Sequence, residues 1–303
     1  MPMSRVHSEP TELRTALITG ADGTIGLATA LQMLKREVNL ILLVRTEEAK
    51  NRLIAQVGRV SPHASVDVRV CDLGKLSDIR NCVSSITAQY GRLDWLVNNA
   101  GLMAPRNYSE SGDHYEQQLA VNYIASFALT ALLLPALLRS PDPKVVMVSS
   151  ASAYLGRCYA DFRNARNKYS PWQAYCNSKL AVVMLAAGLS RRYSPVGGLC
   201  FATSPGIVRS GLQRHILNRT LRSAVNWSID LFGHDANGGA APTLEACFAN
   251  GIPGGSFIVP NGLLGLRGDP KIGSLPRPAR SRQRCEILLK LSEESTGLHI
   301  PQM

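Results

Sequence analysis

Short apolar runs alternate with helix-like segments along most of this sequence, and this alternation restricts its fold more than any other feature. Residues 38–44 (V-N-L-I-L-L-V), for example, are almost continuously apolar and are followed by a segment with helical spacing. Continuous apolar runs are typical of strands buried on both faces, and strands that alternate with helices form parallel sheets. The predicted strands are residues 13–19, 38–44, 66–70, 93–97, 144–149, 199–203 and 256–259. The sequence therefore predicts an α/β protein with a seven-stranded, doubly wound parallel sheet of the Rossmann type and helices on both faces.

The composition excludes several classes of protein. The formal net charge is +11, but no aromatic residues stand between the arginines near the C-terminus and no zinc-finger or basic-helix motif is present, so we predict no nucleic-acid partner. No apolar run reaches the roughly 20 residues that span a bilayer, and residues 1–13 do not resemble a signal peptide, which predicts a cytoplasmic protein without a membrane anchor. Seven scattered cysteines without a C-x-x-C pair predict free thiols and no metal site.

A glycine-rich turn follows the first predicted strand. T-G-A-D-G-T-I-G at residues 19–26 places Gly20, Gly23 and Gly26 between a strand and a helix. Glycines in such a turn let the backbone approach a pyrophosphate, which the N-terminus of the helix then stabilises. The turn therefore predicts a dinucleotide-binding site. Its spacing is irregular, because Thr24 stands where the more usual pattern T-G-x-x-x-G-x-G has its middle glycine, so Gly20 and Gly26 are the firmer predicted contacts.

The end of the second strand predicts which dinucleotide binds. An acidic side chain there would bind the adenosine 2′-hydroxyl of NAD, whereas this sequence has Arg45 between Val44 and Thr46. A guanidinium group binds a 2′-phosphate through charge-assisted hydrogen bonds, so NADP is favoured. Asp22 in the glycine turn is an argument against this prediction, because its carboxylate would repel the phosphate. The alternative interpretation of Arg45 is a solvated surface charge.

A tyrosine and a lysine stand four residues apart in Y-C-N-S-K at residues 175–179. On a helix this spacing puts Tyr175 and Lys179 on one face. An ammonium group beside a phenol favours the phenolate, so we expect Lys179 to lower the pKa of Tyr175 and to make it a proton donor and acceptor. Such a pair is common by chance, and its significance depends on the cofactor turn and on Ser150 at the end of the fifth strand.

Together these motifs resemble the short-chain dehydrogenase/reductases, in their short single-domain branch, over residues 13–259. The match also rests on C-D-L at 71–73, N-N-A-G at 98–101, V-N-Y at 121–123, V-S-S at 148–150 and S-P-G-I-V-R-S at 204–210. L-D-W-L-V-N-N-A-G-L-M-A-P at 93–105 and the long gap between Ser150 and Tyr175 are most similar to the retinol dehydrogenase and protochlorophyllide-reductase-like group. Since the anchor common among animal retinol dehydrogenases is not recognised, we expect a soluble bacterial or fungal member.

The resemblance implies a catalytic tetrad of Asn122, Ser150, Tyr175 and Lys179. Tyr175 would be the general acid in reduction, and Lys179 would lower its pKa and hold the nicotinamide ribose. Ser150 would hydrogen-bond the substrate oxygen, and Asn122 would hold a water that links Lys179 to solvent.

The resemblance also implies contacts with NADP along the carboxyl ends of the strands. The implied contact residues are Gly20, Asp22, Gly23, Thr24, Ile25, Gly26, Arg45, Asp72, Leu73, Asn98, Ala100, Gly101, Tyr175, Lys179, Pro205, Gly206, Val208 and Ser210. Asp72 would contact the adenine amine, and Asn98 and Ala100 the adenosine ribose and adenine. Pro205, Gly206 and Val208 would contact the nicotinamide.

The predicted function is that of an NADPH-dependent ketoreductase or alcohol dehydrogenase in secondary metabolism, acting on the carbonyl of a bulky, mostly apolar small molecule. A polyketide, a steroid or an isoprenoid ketone fits, because residues 151–173 and 207–231 carry aromatic side chains among arginines and are expected to shape the pocket. Two alternatives stay open. One is a carbon–carbon double-bond reductase of the same family, and the other is a non-catalytic regulator that senses NADP.

A single catalytic, dinucleotide-binding domain is predicted for residues 13–265, because no composition break divides them. An N-terminal extension, residues 1–12, precedes it. A basic, proline-containing tail, residues 266–303, follows it and is expected to be extended apart from a short helix near 284–291. The predicted helices at 115–138 and 172–189 correspond to the dimer interface of many relatives, so a homodimer is predicted.

Overall fold

The computed structural model describes residues 13–58, 60, 63–157, 169–193, 200–208, 233 and 235–301, in which one sheet is covered by helices on both faces. The strands are β1 (Thr15–Thr19), β2 (Asn39–Val44), β3 (Val66–Val70), β4 (Trp95–Asn98), β5 (Lys144–Val148), β6 (Cys200–Thr203), β7 (Phe257–Pro260) and β8 (Pro270–Gly273). The helices are α1 (Thr24–Leu34), α2 (Glu47–Val57), α3 (Leu76–Gln89), α4 (Gln117–Leu137), α5 (Pro171–Arg192), α6 (Ala236–Phe248), α7 (Arg277–Arg280) and α8 (Arg282–Thr296). Short 3-10 turns cover Ala151–Leu155 and Leu263–Gly265.

The strands are arranged in the order β3-β2-β1-β4-β5-β6-β7-β8. Neighbours from β3 through β7 pair in parallel, and β8 alone is antiparallel, to β7. The strand order reverses beside β1, so the crevice at the carboxyl ends of β1 and β4 is where such sheets bind ligands. The predicted doubly wound Rossmann-type sheet is confirmed. The predicted count of seven strands is wrong by one, because β8 lies in the segment expected to be an extended tail.

The ends of the helices follow from local sequence signals. Thr46 caps α2, where its side-chain oxygen accepts a hydrogen bond from the N–H of Ala49 at 3.2 Å. Ser170 caps α5, and Pro171 follows in the first turn, where its missing N–H costs nothing. α8 ends at Gly297, whose φ of 64° lies in the left-handed region that glycine tolerates. These signals place the catalytic-motif helix α5 within one residue of its predicted start.

The core consists of two apolar layers, one on each face of the sheet. Neighbouring residues of a strand point to opposite faces. Leu17 accordingly packs in the layer that contains α3, α4, α5 and α8, and Ile18 packs in the layer that contains α1, α2 and α6. Both side chains are fully buried. The strands therefore have two buried faces, which explains their continuous apolar sequences.

α8 packs across the carboxyl-terminal half of α5. Gly188 leaves room for it, since a Cβ added there would lie 3.0 Å from Cδ1 of Leu289. Arg192 extends from α5 to two carboxylates of α8, with Nη1 2.9 Å from Glu293 Oε1 and Nη2 2.9 Å from Glu286 Oε2. Beyond α8, the hydroxyl of Tyr193 donates to the backbone oxygen of Pro301. We refer to these contacts as the C-terminal clamp.

The clamp corrects two predictions. The short helix predicted near 284–291 lies within α8, which is longer and buries Cys285, Leu288, Leu289 and Ser292 at helical spacing. The rest of the segment from residue 266 was predicted to be extended, and it instead contains β8 and α7. The part of the predicted dimer interface that lies on residues 181–189 is also wrong, since these residues are all buried within the single chain. The rest of that interface stays a prediction. A homodimer through another surface stays a prediction.

Among the described helices, α4 alone is long and apolar enough to cross a membrane by length and composition. Its window of highest hydropathy is 72% buried inside the protein, between the sheet and the helices around it. A buried core helix passes the same test, so this finding is weak support for a membrane span. The apolar sequence of α4 is explained by its place in the core.

Candidate active site

The carboxyl end of β5 supplies the first polar groups of the candidate site. Ser150 is the N-cap of the 3-10 turn Ala151–Leu155, and its Oγ accepts a hydrogen bond from the N–H of Ser152 at 3.2 Å. The buried Ser149 donates its hydroxyl to the backbone oxygen of Lys179 at 2.7 Å, which joins the strand end to α5. Ser149 is therefore a structural residue, and Ser150 keeps a half-buried hydroxyl at the edge of the sheet.

Tyr175 lies on α5 with its phenol beside Ser150. Its side chain is 9% exposed, and burial raises the pKa of the phenol above the ordinary value of 10.0, which hydrogen bonding with Ser150 opposes only in part. Nζ of Lys179 lies 5.9 Å from the centre of the Tyr175 ring. The pKa of Tyr175 therefore shifts in the direction opposite to the expectation, because burial is the largest influence on it. Helical spacing does not reveal how far a phenol is removed from water.

Lys179 is a buried amine. Its Nζ donates a hydrogen bond to the backbone oxygen of Val148 at 2.9 Å, and the residue is 5% exposed. Burial lowers the pKa of Lys179 from 10.5 to about 8, because the charged form is disfavoured away from water. The amine therefore titrates closer to neutral pH than an exposed lysine does.

Asn122 lies inside α4, in a π turn that covers Ala120–Ile124. Such turns are frequent at functional sites. Its Oδ1 accepts from the N–H of Leu102 at 2.7 Å, while its Nδ2 donates to the oxygen of Leu102 at 3.0 Å and to Ser178 Oγ at 2.9 Å. The amide thus joins the loop after β4 to α5.

The four predicted catalytic residues converge at one place. A Cβ added to Gly101 would lie 3.2 Å from Nζ of Lys179 and 3.3 Å from Oδ1 of Asn122, so these two side chains meet beside the loop after β4. Tyr175 is in hydrogen-bonding contact with Ser150 on the other side. The structure therefore brings together a hydroxyl, a protonated phenol, a buried amine and an oriented amide.

The glycine turn after β1 is tightly closed. Gly20 has φ of +61°, and an added Cβ would lie 2.9 Å from the Cα of Ala100. A Cβ on Gly26 would lie 2.3 Å from the backbone oxygen of Gly20. Gly23 is the N-cap of α1 with an extended backbone (φ −80°) and has no side chain to cap the first turn, so the N–H groups there suit a pyrophosphate. Thr24, half-buried, begins α1 without distorting it.

Asn99, directly after β4, holds this turn in place, although its sequence position alone did not predict that role. Its Nδ2 donates to the backbone oxygens of Thr19 at 2.9 Å and Gly20 at 3.1 Å. The N–H groups of Asn99 and Ala100 both donate to Thr19 Oγ1 at 2.9 Å. Asn99 therefore fixes the glycine turn against the end of β4. Asn99 belongs to the N-N-A-G motif of the sequence. Its hydrogen-bond partners Thr19 and Gly20 lie beside it only because β1 pairs with β4.

The residues predicted to choose the dinucleotide lie beside the glycine turn. The N–H of Gly20 donates to the oxygen of Leu43 at 3.0 Å, and Arg45 follows two residues later, just beyond β2. Both Arg45 and Asp22 are exposed. Each side chain is therefore free of the core and can meet a phosphate or ribose at this edge.

The predicted adenine contacts occupy two different environments. Asp72 is half-buried after β3, and its Oδ1 accepts from the N–H of Gly74 at 3.0 Å, while Leu73 beside it is also half-buried. Asn98 is 3% exposed and donates to Thr130 Oγ1 at 3.4 Å, and within the described residues its buried Oδ1 has no hydrogen-bond partner. Asn98 thus keeps one acceptor unused beneath the cofactor crevice.

The S-P-G segment after β6 turns sharply. Gly206 has φ of +71°, and a Cβ there would lie 2.4 Å from the backbone oxygen of Leu266. Pro205 before it is half-buried, and Val208 after it is buried. Ser210, the last predicted nicotinamide contact, lies outside the described residues.

The candidate cofactor residues in the described part lie at the carboxyl ends of β1, β2, β3, β4 and β6, as a dinucleotide in a doubly wound sheet requires. The backbone crevice between Gly20 and Ala100 would be filled by a single methyl group, and the first turn of α1 offers unpaired donors. These residues fit a nicotinamide dinucleotide. In the same described part, no group of three or more His, Cys, Asp or Glu side chains is placed to hold a metal ion.

Parts of the predicted substrate pocket, residues 158–168 and 209–231, lie outside the described residues. The described ends of the first segment carry three large apolar side chains that are at least 47% exposed. These are Tyr154, Leu155 and Trp172. The ring of Trp172 lies 5.7 Å from the ring of Tyr175, centre to centre. An apolar rim therefore stands beside the phenol.

The fold and the site together define a class, the dinucleotide-binding α/β proteins with a serine, tyrosine and lysine centre. The family model described as "short chain dehydrogenase" matches residues 14–220. The chain belongs to the short-chain dehydrogenase family. This confirms the family predicted from the sequence, including its retinol dehydrogenase-like group.

Similar proteins agree with this placement. Retinol dehydrogenase 13 from Homo sapiens is 34% identical over 67% of this chain, although the match spans only 61% of that protein. The short-chain dehydrogenase/reductase prx1 from Penicillium rubens is 31% identical over 77% of this chain and 68% of its own length. An uncharacterized protein from Mycobacterium paratuberculosis has a crystal structure that covers 95% of both chains, with a TM-score of 0.76 and 32% identity. Levodione reductase, at 21% identity and a TM-score of 0.63, shows the fold alone.

Proposed function

We propose that the protein is an NADPH-dependent oxidoreductase that reduces the carbonyl group of a bulky, mostly apolar small molecule. One observation carries this proposal: the phenol of Tyr175 contacts Ser150 at one end of the site and stands beside the exposed apolar ring of Trp172. Polar chemistry and an apolar binding surface are therefore adjacent. Retinol dehydrogenase 13, by its name, acts on retinol, which is consistent with such a substrate.

Tyr175 is suited to act as the general acid. Burial raises the pKa of its phenol, so the group carries its proton at neutral pH and can donate it to a carbonyl oxygen that becomes an alkoxide. The Ser150 hydroxyl, whose oxygen already accepts from the N–H of Ser152, can donate its own hydrogen to the same carbonyl oxygen. Two donors then converge on the charge that develops during reduction.

Lys179 and Asn122 support this proton transfer. With a pKa of about 8, Lys179 is close to half-protonated in mildly alkaline solution and can exchange its proton readily. The amide oxygen of Asn122 and Nζ of Lys179 both lie beside Gly101. Asn122 therefore places a polar group next to the amine, through which a proton can reach Lys179. We infer that protons lost by Tyr175 are replaced through Lys179.

The cofactor would be held by the closed glycine turn, by the first turn of α1 and by Gly101 with the S-P-G segment. When bound, a nicotinamide dinucleotide supplies the hydride. We favour NADPH because Arg45 is exposed directly after β2, where its guanidinium can form charge-assisted hydrogen bonds with a 2′-phosphate. The exposed carboxylate of Asp22 acts against this preference without cancelling it, since the guanidinium alone can bind bidentately.

The substrate and the cofactor preference can be tested together. Purified protein is assayed with NADPH and NADH against a panel of alicyclic and aromatic ketones, with conjugated enones included to detect double-bond reduction. We expect carbonyl reduction with NADPH, and binding of the cofactor without any turnover would instead support the NADP-sensing alternative. Arg45→Glu is expected to weaken NADPH binding by about 10- to 100-fold, from one to two lost charge-assisted bonds, and to leave NADH binding within a few fold. Arg52→Glu, the same charge change on the exposed side of α2, is the matched control.

A further inference from the structure

Gln118 is a fully buried amide one helical turn before Asn122. It is 0% exposed, and both residues lie in the first turns of α4. Residues four apart on a helix share a face, so the two amides point in similar directions. A buried amide has to find hydrogen-bond partners for its oxygen and its nitrogen, and those partners indicate what the residue holds.

The oxygen atoms of the two amides accept hydrogen bonds from alternate residues of the loop after β4. Oδ1 of Asn122 accepts from the N–H of Leu102 at 2.7 Å, and Oε1 of Gln118 accepts from the N–H of Ala104 at 2.7 Å. Ala104 has φ of +45°, a left-handed conformation that is unfavourable for a residue with a Cβ. Gln118 therefore holds the loop in a backbone conformation that the loop would not adopt alone.

The nitrogen atoms of the same two amides hold α5. Nδ2 of Asn122 donates to Ser178 Oγ, while Nε2 of Gln118 donates to the backbone oxygen of Pro171 at 3.1 Å and to the hydroxyl of Tyr169 at 2.9 Å. Pro171 is the first residue of α5 and lies one turn before Tyr175. The two amides therefore fix α5 on both sides of Tyr175. Gln118 binds the helix before this residue, and Asn122 binds it after.

A buried carboxylate fixes the orientation of the Gln118 amide. Glu116 is 5% exposed, and its Oε1 accepts from the hydroxyl of Tyr169 at 2.8 Å and from Nε2 of Gln118 at 3.3 Å. Its Oε2 accepts from the N–H of Leu119 at 2.8 Å. Because the carboxylate accepts only, it turns the NH2 group of Gln118 toward itself and the oxygen toward Ala104.

We propose that Gln118 is a positioning residue for the active site, which sets the place of Tyr175 by joining the loop after β4 to the first turn of α5. It does not touch the reacting atoms and acts through Ala104, Pro171 and Tyr169. Tyr169 and Pro171 also end the long segment between Ser150 and Tyr175, so Gln118 anchors the predicted substrate-pocket segment to the catalytic helix. The catalytic part of this inference rests on the proposed function.

The first test replaces Gln118 by methionine, which has a similar length but no amide. Turnover is expressed per site that binds NADPH, so that misfolded protein does not contribute. We expect kcat per loaded site to fall about 10- to 100-fold, as for a small misplacement of a catalytic group, with KM changed less and NADPH affinity within about twofold. The NADPH affinity is retained because Asn99, far from Gln118 in its contacts, holds the glycine turn.

Gln32→Met is the matched control. Gln32 also joins two helices through its amide, since its Nε2 donates to Oδ1 of Asn237 at 3.2 Å. This hydrogen bond links α1 to α6 and involves neither α5 nor the loop after β4. We expect its kcat per loaded site to equal that of the wild type. A Gln118→Met protein with kcat per loaded site within twofold of the wild type overturns the positioning role. Should this variant fail to fold, Tyr169→Phe removes the hydroxyl alone, and an unchanged kcat per loaded site in that variant overturns the proposal equally.

A second measurement needs no turnover. Trp172 directly follows Pro171, so release of the Pro171 oxygen by Gln118→Met is expected to change tryptophan emission, and the change is expected to vanish in a Trp172→Phe background. Identical emission from the wild type and Gln118→Met contradicts the proposal even when no substrate is found. Absence of turnover by the wild type on the whole panel would instead contradict the proposed function and leave the emission result to decide the role of Gln118.

Discussion

The two halves of α5 have opposite effects on stability. The amino-terminal half carries Tyr175 and Lys179, a phenol and an amine that burial forces away from their ordinary pKa values. The carboxyl-terminal half carries Gly188 and Arg192, which receive α8 through close packing and two ion pairs. The amino-terminal half of the helix is arranged for proton transfer. The carboxyl-terminal half is arranged to hold α8 against the core.

The difference lies in how each buried charge is compensated. The Lys179 amine is buried and donates its hydrogen bond to an uncharged backbone oxygen, so its charged form is disfavoured and its pKa falls. Burial alone would lower the pKa of Arg192 as well, but hydrogen bonds with Glu286 and Glu293 outweigh it and raise the pKa. A buried charge with matched partners holds elements together, whereas one without them costs stability and becomes reactive.

The largest expected effect concerns the amino-terminal half. Tyr175→Phe removes the proton donor and keeps the ring, so kcat for ketone reduction is expected to fall about 10²- to 10⁴-fold, the usual contribution of a general acid. Stability measured by urea unfolding should stay within about 1 kcal/mol of the wild type, because a buried hydroxyl contributes little net free energy. A variant that loses stability as well as turnover would show that the phenol has a structural role too.

Arg192→Met tests the carboxyl-terminal half. It leaves the carboxylates of Glu286 and Glu293 without their cation, and we expect the free energy of unfolding to fall by about 3–5 kcal/mol. Turnover per folded molecule should be retained, because the clamp is remote from Tyr175. Arg191→Met is the control, since Arg191 donates to backbone oxygens of Ala279 and Arg280 and its loss strands no carboxylate. Equal losses from both variants would contradict the importance of charge pairing here.

Lys179→Met should give the reverse outcome, lost turnover with gained stability. A pKa of about 8 in place of 10.5 means that the charged form is disfavoured in the folded state by about 3–4 kcal/mol, at roughly 1.4 kcal/mol per pKa unit. Below pH 8 both states bind the proton and the wild type bears the full cost. Between pH 8 and 10.5 the unfolded state binds more protons, so the wild type gains stability as pH rises and the advantage of the variant shrinks. Unfolding curves at pH 7 and pH 10 measure this, and a variant less stable than the wild type at pH 7 contradicts it.

The smallest expected effect is that of Tyr193→Phe. Its hydroxyl donates to the backbone oxygen of Pro301 at the far end of the clamp. Removing it should lower the free energy of unfolding by about 1 kcal/mol, the net value of one hydrogen bond, without a change in kcat. Thermal unfolding at neutral pH is sufficient to measure this shift. A loss as large as that of Arg192→Met would mean that this single contact secures the whole clamp.

The sequence predicted the catalytic role of the amino-terminal half of α5. It did not predict that the carboxyl-terminal half packs against α8. Tyr175, Lys179, Ser150 and Asn122 stand at strand ends and helix positions that the alternating pattern defines, so their meeting follows from topology. The pKa of Tyr175 was predicted in the wrong direction, because spacing gives neighbours but not burial. A short helix was predicted within α8, yet Pro276, Pro278 and several arginines around it indicated that the rest of this segment is extended. Functional roles for Asn99 and Gln118 were not predicted, since their hydrogen-bond partners are distant in the sequence.

The clamp also has a consequence for the order in which this protein is made. A ribosome releases α5 long before it has synthesised α8, and until then the Gly188 side of α5 lacks the helix that covers it. During that interval the nascent chain exposes an apolar surface in the middle of its future core, which is where chaperones bind and where aggregation begins. A chain truncated before residue 282 would therefore contain the strands and turns of the dinucleotide crevice but would lack α8, which covers α5. Such chains are expected to be cleared rather than to persist as shortened enzymes.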